Sequence, residues 1–200
     1  GMFGAVGATL YKPLSRGHVS ISSPDPTEVP SVNFNLFADE RDQRRMTSGL
    51  AHCLRILAQE DVQCMITDSI VPDPSWAARL GRKDLFAKVE AKMVAHLLEL
   101  RPARRLMLGR NIVDASSILD DEQALADLAR QVTGLGGHAA GTCRMGAAWD
   151  TKAVVDPFCR IKGASNLYVV DASIMPSVVA ANTNLTVQAI AERAADLLLA

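Results

Sequence analysis

Residues 137–146 of this 200-residue chain read GHAAGTCRMG and separate two parts of the sequence that differ in character. Three glycines and two alanines surround His138 in this stretch. Small residues of this kind let the backbone approach a ligand closely. A lone histidine beside glycines is more often a hydrogen-bonded structural residue than a catalyst, so composition alone does not identify His138 as functional.

A second stretch, residues 166–176, reads NLYVVDASIMP. Its first five residues predict a short apolar strand ending before Asp171, and a buried strand of this kind delivers a carboxylate to a ligand at its carboxyl end. The alternative is that Asp171 is a solvated residue at the end of the strand and contacts no ligand. A polar loop then leads to a last helix from about Asn184, whose N-cap could be Asn182 or Asn184, because asparagine favours that position.

The sequence before residue 137 predicts two strands and several helices. Residues 17–23 and 31–37 alternate apolar and polar side chains around a Pro-Asp-Pro turn, which predicts an antiparallel pair of strands. Helical periodicity follows in three stretches, at about residues 39–60, 85–101 and 120–132. Pro72, Pro74 and Gly81 mark a loop, and residues 103–118 match no clear pattern.

Composition and charge restrict the class of partner. The chain has 48% hydrophobic and 22% charged residues, as ordinary globular proteins do. Its 21 basic and 22 acidic residues give a net charge of −1, which removes the electrostatic case for a nucleic-acid partner and favours a small ligand. The longest uncharged stretch, residues 172–191, contains Pro176 and three polar amides, so we predict no membrane span.

The cysteines and the first residues indicate the compartment. The four cysteines, Cys53, Cys64, Cys143 and Cys159, form no CxxC motif and no cluster with histidine. They therefore predict neither a metal site nor a disulfide framework, and they favour a reducing, cytoplasmic compartment. Lys12, the first cation, follows the apolar N-terminal residues instead of preceding them, which is not the charge order of a secretory signal.

In this order and at this spacing, the two C-terminal stretches strongly resemble the signature of the glucose-methanol-choline (GMC) oxidoreductase family, flavoenzymes that oxidise alcohols. The matching residues are His138 to Gly146, Val154, Val155, Asp156, Pro157, Arg160, Gly163, Asn166, Leu167, residues 170–173, Pro176, Asn182 and residues 191–196. Residues 15–19, Asp25, Pro26 and Pro30 match more loosely. The resemblance thus covers nearly the whole chain.

The resemblance implies an α+β fold with two parts. Residues 1–136 would form the substrate-binding cap, an antiparallel sheet backed by helices. Residues 137–200 would form the catalytic segment, a strand, loop and helix that complete the FAD-binding domain in the family. That domain also needs an N-terminal dinucleotide fold with a GxGxxG loop, which this sequence lacks. We therefore expect that the chain alone does not hold FAD tightly and that an FAD-binding domain is supplied in cis or in trans.

The resemblance also implies roles for individual residues. His138 would be the base that takes the proton of the alcohol, and Asn182 would hydrogen-bond the same oxygen. His138 would be the only base of the pair, because an amide cannot accept that proton. The flavin would lie against Asp171, Ala172, Asn182, Thr183 and Asn184. The last helix begins near these residues, and the partial positive charge of its N-terminus suits a flavin that becomes anionic when reduced. No metal ligands are predicted.

Two hypotheses about function remain open at this stage. In the first, the chain is the substrate-binding and catalytic part of an FAD-dependent alcohol dehydrogenase or oxidase, which transfers a hydride from CH–OH to flavin. In the second, it is a truncated fragment without catalysis that serves as a binding or structural module, and the missing GxGxxG favours this for the isolated chain. The expected partners are a small-molecule alcohol, an FAD-binding domain and a second copy of the chain, bound through the uncovered C-terminal segment.

Overall fold

The computed structural model describes residues 4–71, 85–109 and 111–199. These residues are rich in helix and contain one small antiparallel sheet. In chain order, the elements are β1 (His18–Ser20), β2 (Ser31–Asn33), α1 (Glu40–Leu57), α2 (Glu60–Gln63), α3 (Leu85–Glu99), α4 (Arg101–Leu108), α5 (Ala115–Leu119), α6 (Glu122–Val132), a 3₁₀ turn (Ala172–Ile174) and α7 (Asn184–Leu199). None of the described helices is long and apolar enough to cross a membrane.

The predicted pair of strands is present, although each strand is shorter than the sequence suggests. β1 and β2 pair antiparallel, with Val19 opposite Val32. All six strand residues are exposed, including these two valines at 47% and 48%. The alternating pattern therefore predicted the strands, but their apolar side is not covered by the described part of the chain.

The start of α1 is fixed by the segment that precedes β1. The buried carboxylate of Asp42 accepts hydrogen bonds from the backbone N–H groups of Leu14 and Ser15 and from the Ser15 hydroxyl, at 2.7 to 3.1 Å. The Ser15 hydroxyl in turn accepts a bond from the backbone N–H of Asp39. An acid in the first turn also suits the positive end of the helix. Residues 14–15 are therefore firmly attached to the helix start.

A first hydrophobic core joins α1 to α5 and α6. Its buried members are Ala51, Leu54, Ala115 and Leu125, packed against Leu50, Leu57, Ala58, Ile118 and Leu119. The predicted helix at 120–132 is confirmed, and Asp121 caps it by accepting a bond from the backbone N–H of Ala124 at 2.9 Å. Residues 103–118, which matched no pattern, fall mainly in α4 and α5. The predicted loop at Pro72, Pro74 and Gly81 lies outside the described residues.

A second core lies under the C-terminal motifs. Its buried members are Val155, Cys159, Ile174 and Ala194, packed against Met145, Val154, Ile161, Val169, Val170 and Ile190. α7 begins at Asn184, as predicted. Along this helix, only Ala194 is fully buried among the described residues, so much of the apolar face that the periodicity predicts is uncovered.

The prediction of a strand at residues 166–170 is wrong. Asn166 has a φ of +58°, in the left-handed region, which breaks an extended conformation at the first residue. The segment then folds back on residues 159–161: the N–H of Val169 donates to the carbonyl of Cys159, and Tyr168 forms an isolated bridge with Arg160. The apolar run is therefore an irregular segment packed on the second core.

The contacts divide the chain into two compact units. One comprises Gly1–Thr9 and Gln43–Gly134, and the other comprises Leu10–Asp42 and Leu135–Ala200. The boundary near residue 135 lies close to the predicted boundary between residues 136 and 137. The units differ from the predicted partition in residues 10–42, which group with the C-terminal segment. The assignment of residues 1–136 as a cap and 137–200 as a catalytic segment stays a prediction.

Candidate active site

The two C-terminal motifs lie side by side in the second unit. Three N–H groups of the first motif donate to carbonyls of the 3₁₀ turn: Gly141 to Ala172 at 3.3 Å, Cys143 to Ser173 at 2.9 Å and Met145 to Ile174 at 2.7 Å. Gly141 has a φ of +90°, and a Cβ there would lie 3.2 Å from the carbonyl oxygen of Met175. The glycine therefore allows the two motifs to pack closely, and the close approach of this loop to a ligand stays a prediction.

His138 is half-buried and reaches the start of α7. Its Nδ1 atom lies 3.2 Å from the hydroxyl oxygen of Thr183, a residue that is 7% exposed. When Nδ1 carries the proton and donates it to this hydroxyl, Nε2 keeps a free lone pair and can act as a base. The structure thus joins His138 to the residue that follows Asn182 in the sequence.

The cap of α7 differs from the prediction. The carbonyl of Thr183 accepts the first helical bond, from the N–H of Val187 at 2.9 Å, so Thr183 occupies the N-cap position. Neither Asn182 nor Asn184 is the N-cap, and that prediction is wrong. The hydroxyl of Thr183 meets His138, a tertiary contact that the local preference of asparagine for N-caps does not take into account. Both asparagine side chains are left exposed at the helix start.

Asn182 has a partner that the sequence did not indicate. The phenol of Tyr11 donates a hydrogen bond to Asn182 Oδ1 at 2.9 Å, across 171 positions of sequence. This bond occupies the amide oxygen of Asn182 and leaves its amide nitrogen as a hydrogen-bond donor for another group. Tyr11 lies before the first predicted strand, in a segment with no periodicity or motif, so no sequence signal points to it.

Asp171 caps the 3₁₀ turn. Its Oδ1 atom accepts bonds from the backbone N–H of Ser173, at 2.7 Å, and from the Ser173 hydroxyl. The residue is exposed, and Ala172 beside it is half-buried with its carbonyl bonded to Gly141. Asp171 therefore shapes the turn to which the His138 motif is bonded. A contact of Asp171 or Ala172 with a cofactor stays a prediction.

Arg144, within the first motif, forms an ion pair with the loop that follows the motif. Its guanidinium pairs with Asp150 through two bonds of 2.7 and 2.9 Å. This pairing, together with the backbone N–H of Lys152, holds the pKa of the Asp150 carboxyl below its ordinary value. The ammonium of Lys162 donates to the carbonyls of Ala147 and Asp150. These bonds fix the loop that follows the motif.

The surface beside His138 carries the start of α7. α7 has 16 residues, so its N-terminus carries a partial positive charge, and two exposed asparagines lie there. Within the described ranges, no group of three or more histidine, cysteine, aspartate or glutamate residues could hold a metal ion. The polar groups available are thus a histidine, an amide and a helix N-terminus.

Comparisons with known proteins identify the family of the chain. A family model described as GMC oxidoreductase matches residues 13–191. The chain is 34% identical to the 5-(hydroxymethyl)furfural oxidase of Methylovorus sp. (strain MP688), over 95% of this chain and 30% of that protein. It is 30% identical to a glucose dehydrogenase [FAD, quinone] of Drosophila pseudoobscura pseudoobscura, over 94% of this chain and 24% of that protein.

A solved structure has a similar fold over most of this chain. The crystal structure of pyridoxine 4-oxidase from Mesorbium loti is similar with a TM-score of 0.62 and 25% identity, over 93% of this chain and 28% of that chain. The chain thus spans less than a third of the length of these relatives. Because the family model matches nearly all of its residues, the chain belongs to the GMC oxidoreductase family, in which it forms a C-terminal domain.

Proposed function

We propose that this chain is the substrate-binding and catalytic part of an FAD-dependent alcohol oxidoreductase, with His138 as the general base. The observation that carries the proposal is the contact of His138 Nδ1 with Thr183, which joins the histidine to the exposed helix start beside Asn182. The names of the relatives support the class of substrate, since 5-(hydroxymethyl)furfural and pyridoxine both carry hydroxymethyl groups. One relative's name includes FAD.

The proposed chemistry requires a base at the hydroxyl group. Hydride leaves the carbon of an alcohol easily only when the hydroxyl is losing its proton, because an alkoxide pushes electron density toward the C–H bond. His138 would take that proton at Nε2. The Thr183 hydroxyl would hold the ring so that Nε2 faces the substrate, while Asn182 would donate a hydrogen bond to the oxygen that becomes negative.

The same surface would receive the edge of the flavin. Asp171, Ala172, Asn182, Thr183 and Asn184 would lie against the cofactor, which when bound accepts the hydride from the alcohol carbon. The backbone N–H groups at the start of α7 would contribute partial positive charge. Residues 1–136 would serve as the substrate cap, and residues 137–200 would complete an FAD-binding domain supplied in cis or in trans.

Replacing His138 tests the proposed base. With the FAD-binding domain supplied, we expect His138→Ala to lower the rate of flavin reduction by alcohol by roughly two to four powers of ten, the usual contribution of a general base. The flavin absorbance in stopped-flow mixing measures this rate. His52→Ala is the matched control, because His52 is an exposed histidine on α1 whose ring nitrogen contacts a backbone carbonyl of its own helix. Equal rates for both variants would remove His138 from the mechanism.

A second measurement separates the two functional hypotheses for the isolated chain. Purified protein that is colourless, and stays so after mixing with FAD and removal of free cofactor, would support the need for an added FAD-binding domain. Yellow protein with flavin absorbance would overturn that part of the proposal. The absence of GxGxxG from the sequence is the reason we expect the colourless result.

A further inference from the structure

We infer that Tyr11 is a positioning residue for Asn182, which it orients so that the amide nitrogen faces the alcohol oxygen. The inference deepens the proposed function and rests on it. Its basis is the hydrogen bond from the Tyr11 phenol to Asn182 Oδ1, 2.9 Å long and formed between residues 171 positions apart. Both residues lie within one compact unit.

The segment that carries Tyr11 is anchored on its C-terminal side. The buried Asp42 carboxylate holds the backbone N–H groups of Leu14 and Ser15, three and four residues beyond the tyrosine. The guanidinium of Arg16 donates to the carbonyl of Pro13 at 2.7 Å, which braces the same turn. Asn182 itself is held next to the N-cap of α7. Both segments are therefore held in place where the phenol of Tyr11 meets the amide of Asn182.

The orientation of an asparagine amide matters for this chemistry. The amide oxygen and nitrogen have nearly the same size, so only their hydrogen-bond partners decide which of them faces a substrate. The alcohol oxygen gains negative charge as its proton leaves, and it then needs a donor. A donor on Asn182 Oδ1 leaves the NH₂ group for the substrate. If the amide were turned over, Oδ1 would face the developing negative charge and oppose it.

The kinetic test uses a double-mutant cycle in the enzyme with its FAD-binding domain supplied. Tyr11→Phe keeps the ring and removes the donor, and we expect it to lower kcat/KM by roughly 2- to 12-fold, the usual effect of one neutral hydrogen bond. The loss should fall mainly on kcat, because the amide acts on charge that develops after binding. In an Asn182→Ala background, the effect of Tyr11→Phe should be clearly smaller, since the contact with Asn182 is gone.

The matched control is Tyr168→Phe. The chain has two tyrosines, and Tyr168 lies in the same unit, with its ring beside Arg160. Tyr168→Phe removes an equivalent hydroxyl group without touching Asn182, so kcat/KM should stay within a factor of about two of the parent. A loss in Tyr11→Phe that persists unchanged in the Asn182→Ala background would overturn the inference, because the tyrosine would then act through folding or another contact.

A spectroscopic test on the chain as it stands does not depend on activity. The side-chain ¹⁵N–¹H signals of Asn182 are identified by their loss in Asn182→Ala. We expect Tyr11→Phe, and not Tyr168→Phe, to shift them, because the amide loses a hydrogen-bond donor at its oxygen. Unshifted signals would overturn the inference. If His138→Ala leaves flavin reduction unchanged while the shift and the kinetic coupling are both found, the proposed base fails and the role of Tyr11 is upheld.

Discussion

Gly17 lies where no side chain fits. A Cβ atom at this position would lie 2.1 Å from the carbonyl oxygen of Asn33 and 2.8 Å from the Cα atom of Phe34. Both are backbone atoms, so a larger residue can be accommodated only by moving the chain where β1 and β2 meet. The loose sequence match at residues 15–19 included this glycine, and close packing of two backbone segments is the physical reason for it.

We expect Gly17→Ala to lower the free energy of unfolding by roughly 1–3 kcal/mol, the usual cost of forcing extra atoms into a packed position. Urea unfolding followed by circular dichroism measures it. Gly134→Ala is the control, because a Cβ atom at Gly134 would meet nothing within 4 Å. That variant should stay within about 0.5 kcal/mol of the parent. Equal unfolding midpoints for the two variants would show that the contact at Asn33 is easily relieved.

At the scale of elements, the loop that follows the histidine motif is held by charge. Arg144 and Asp150 pair through two bonds, and Lys162 binds two carbonyls of the same loop. Gly146 is needed there, because a Cβ atom would lie 2.6 Å from that of Ala153. Charged side chains thus hold this loop in place, and the free energy of unfolding should therefore depend on pH.

The sign of that response follows from Asp150. Its pKa is lowered in the folded chain, first by the Arg144 guanidinium, so its contribution to stability is fully present above the unfolded pKa of about 4 and is lost as pH falls through the folded pKa. Asp150→Asn should therefore destabilise the chain at pH 7, and the difference from the parent should shrink below about pH 4. Urea unfolding at pH 7 and pH 3 measures both differences.

The control for this experiment is Asp120→Asn. Asp120 is an exposed aspartate that forms no ion pair in the part of the chain that the structure describes. Its replacement should change the unfolding midpoint little at either pH. A difference between Asp150→Asn and the parent that is the same at pH 7 and pH 3 would mean that the ion pair does not stabilise the folded loop.

At the scale of the whole molecule, the second unit leaves large apolar side chains uncovered. Phe158, Leu167, Leu185, Leu198 and Leu199 are 51% to 86% exposed. Apolar surface of this kind is typical of an interface. In the proposed enzyme it would pack on the FAD-binding domain, and in the isolated chain it could pack on a second copy.

We expect the isolated chain to associate with itself in a concentration-dependent manner, as measured by sedimentation velocity. Leu185→Gln should weaken the association constant roughly tenfold, which corresponds to the loss of about 1.4 kcal/mol from one buried leucine. Leu106→Gln is the control, because Leu106 is 88% exposed on α4 in the other unit and should leave association unchanged. A chain that stays monomeric at all concentrations would refute the prediction.

The sequence by itself determined the longer helices and the family. α1, α6 and α7 follow apolar patterns that repeat within a few turns, and the family resemblance rests on the residues, order and spacing of the two C-terminal motifs. Such signals are local, so a single sequence carries them. The structure agrees with them to within a few residues at most helix ends.

Only the tertiary structure decided the rest. The apolar run at residues 166–170 suited a strand, but it folds back on residues 159–161 because a left-handed Asn166 turns the chain there. Thr183 instead of an asparagine caps α7, and Tyr11 meets Asn182. The contacts of Thr183 with His138 and of Tyr11 with Asn182 depend on which distant segments meet in the folded chain. A hydrogen bond across 171 positions leaves no trace in local periodicity, because its energy arises only after the whole unit has folded.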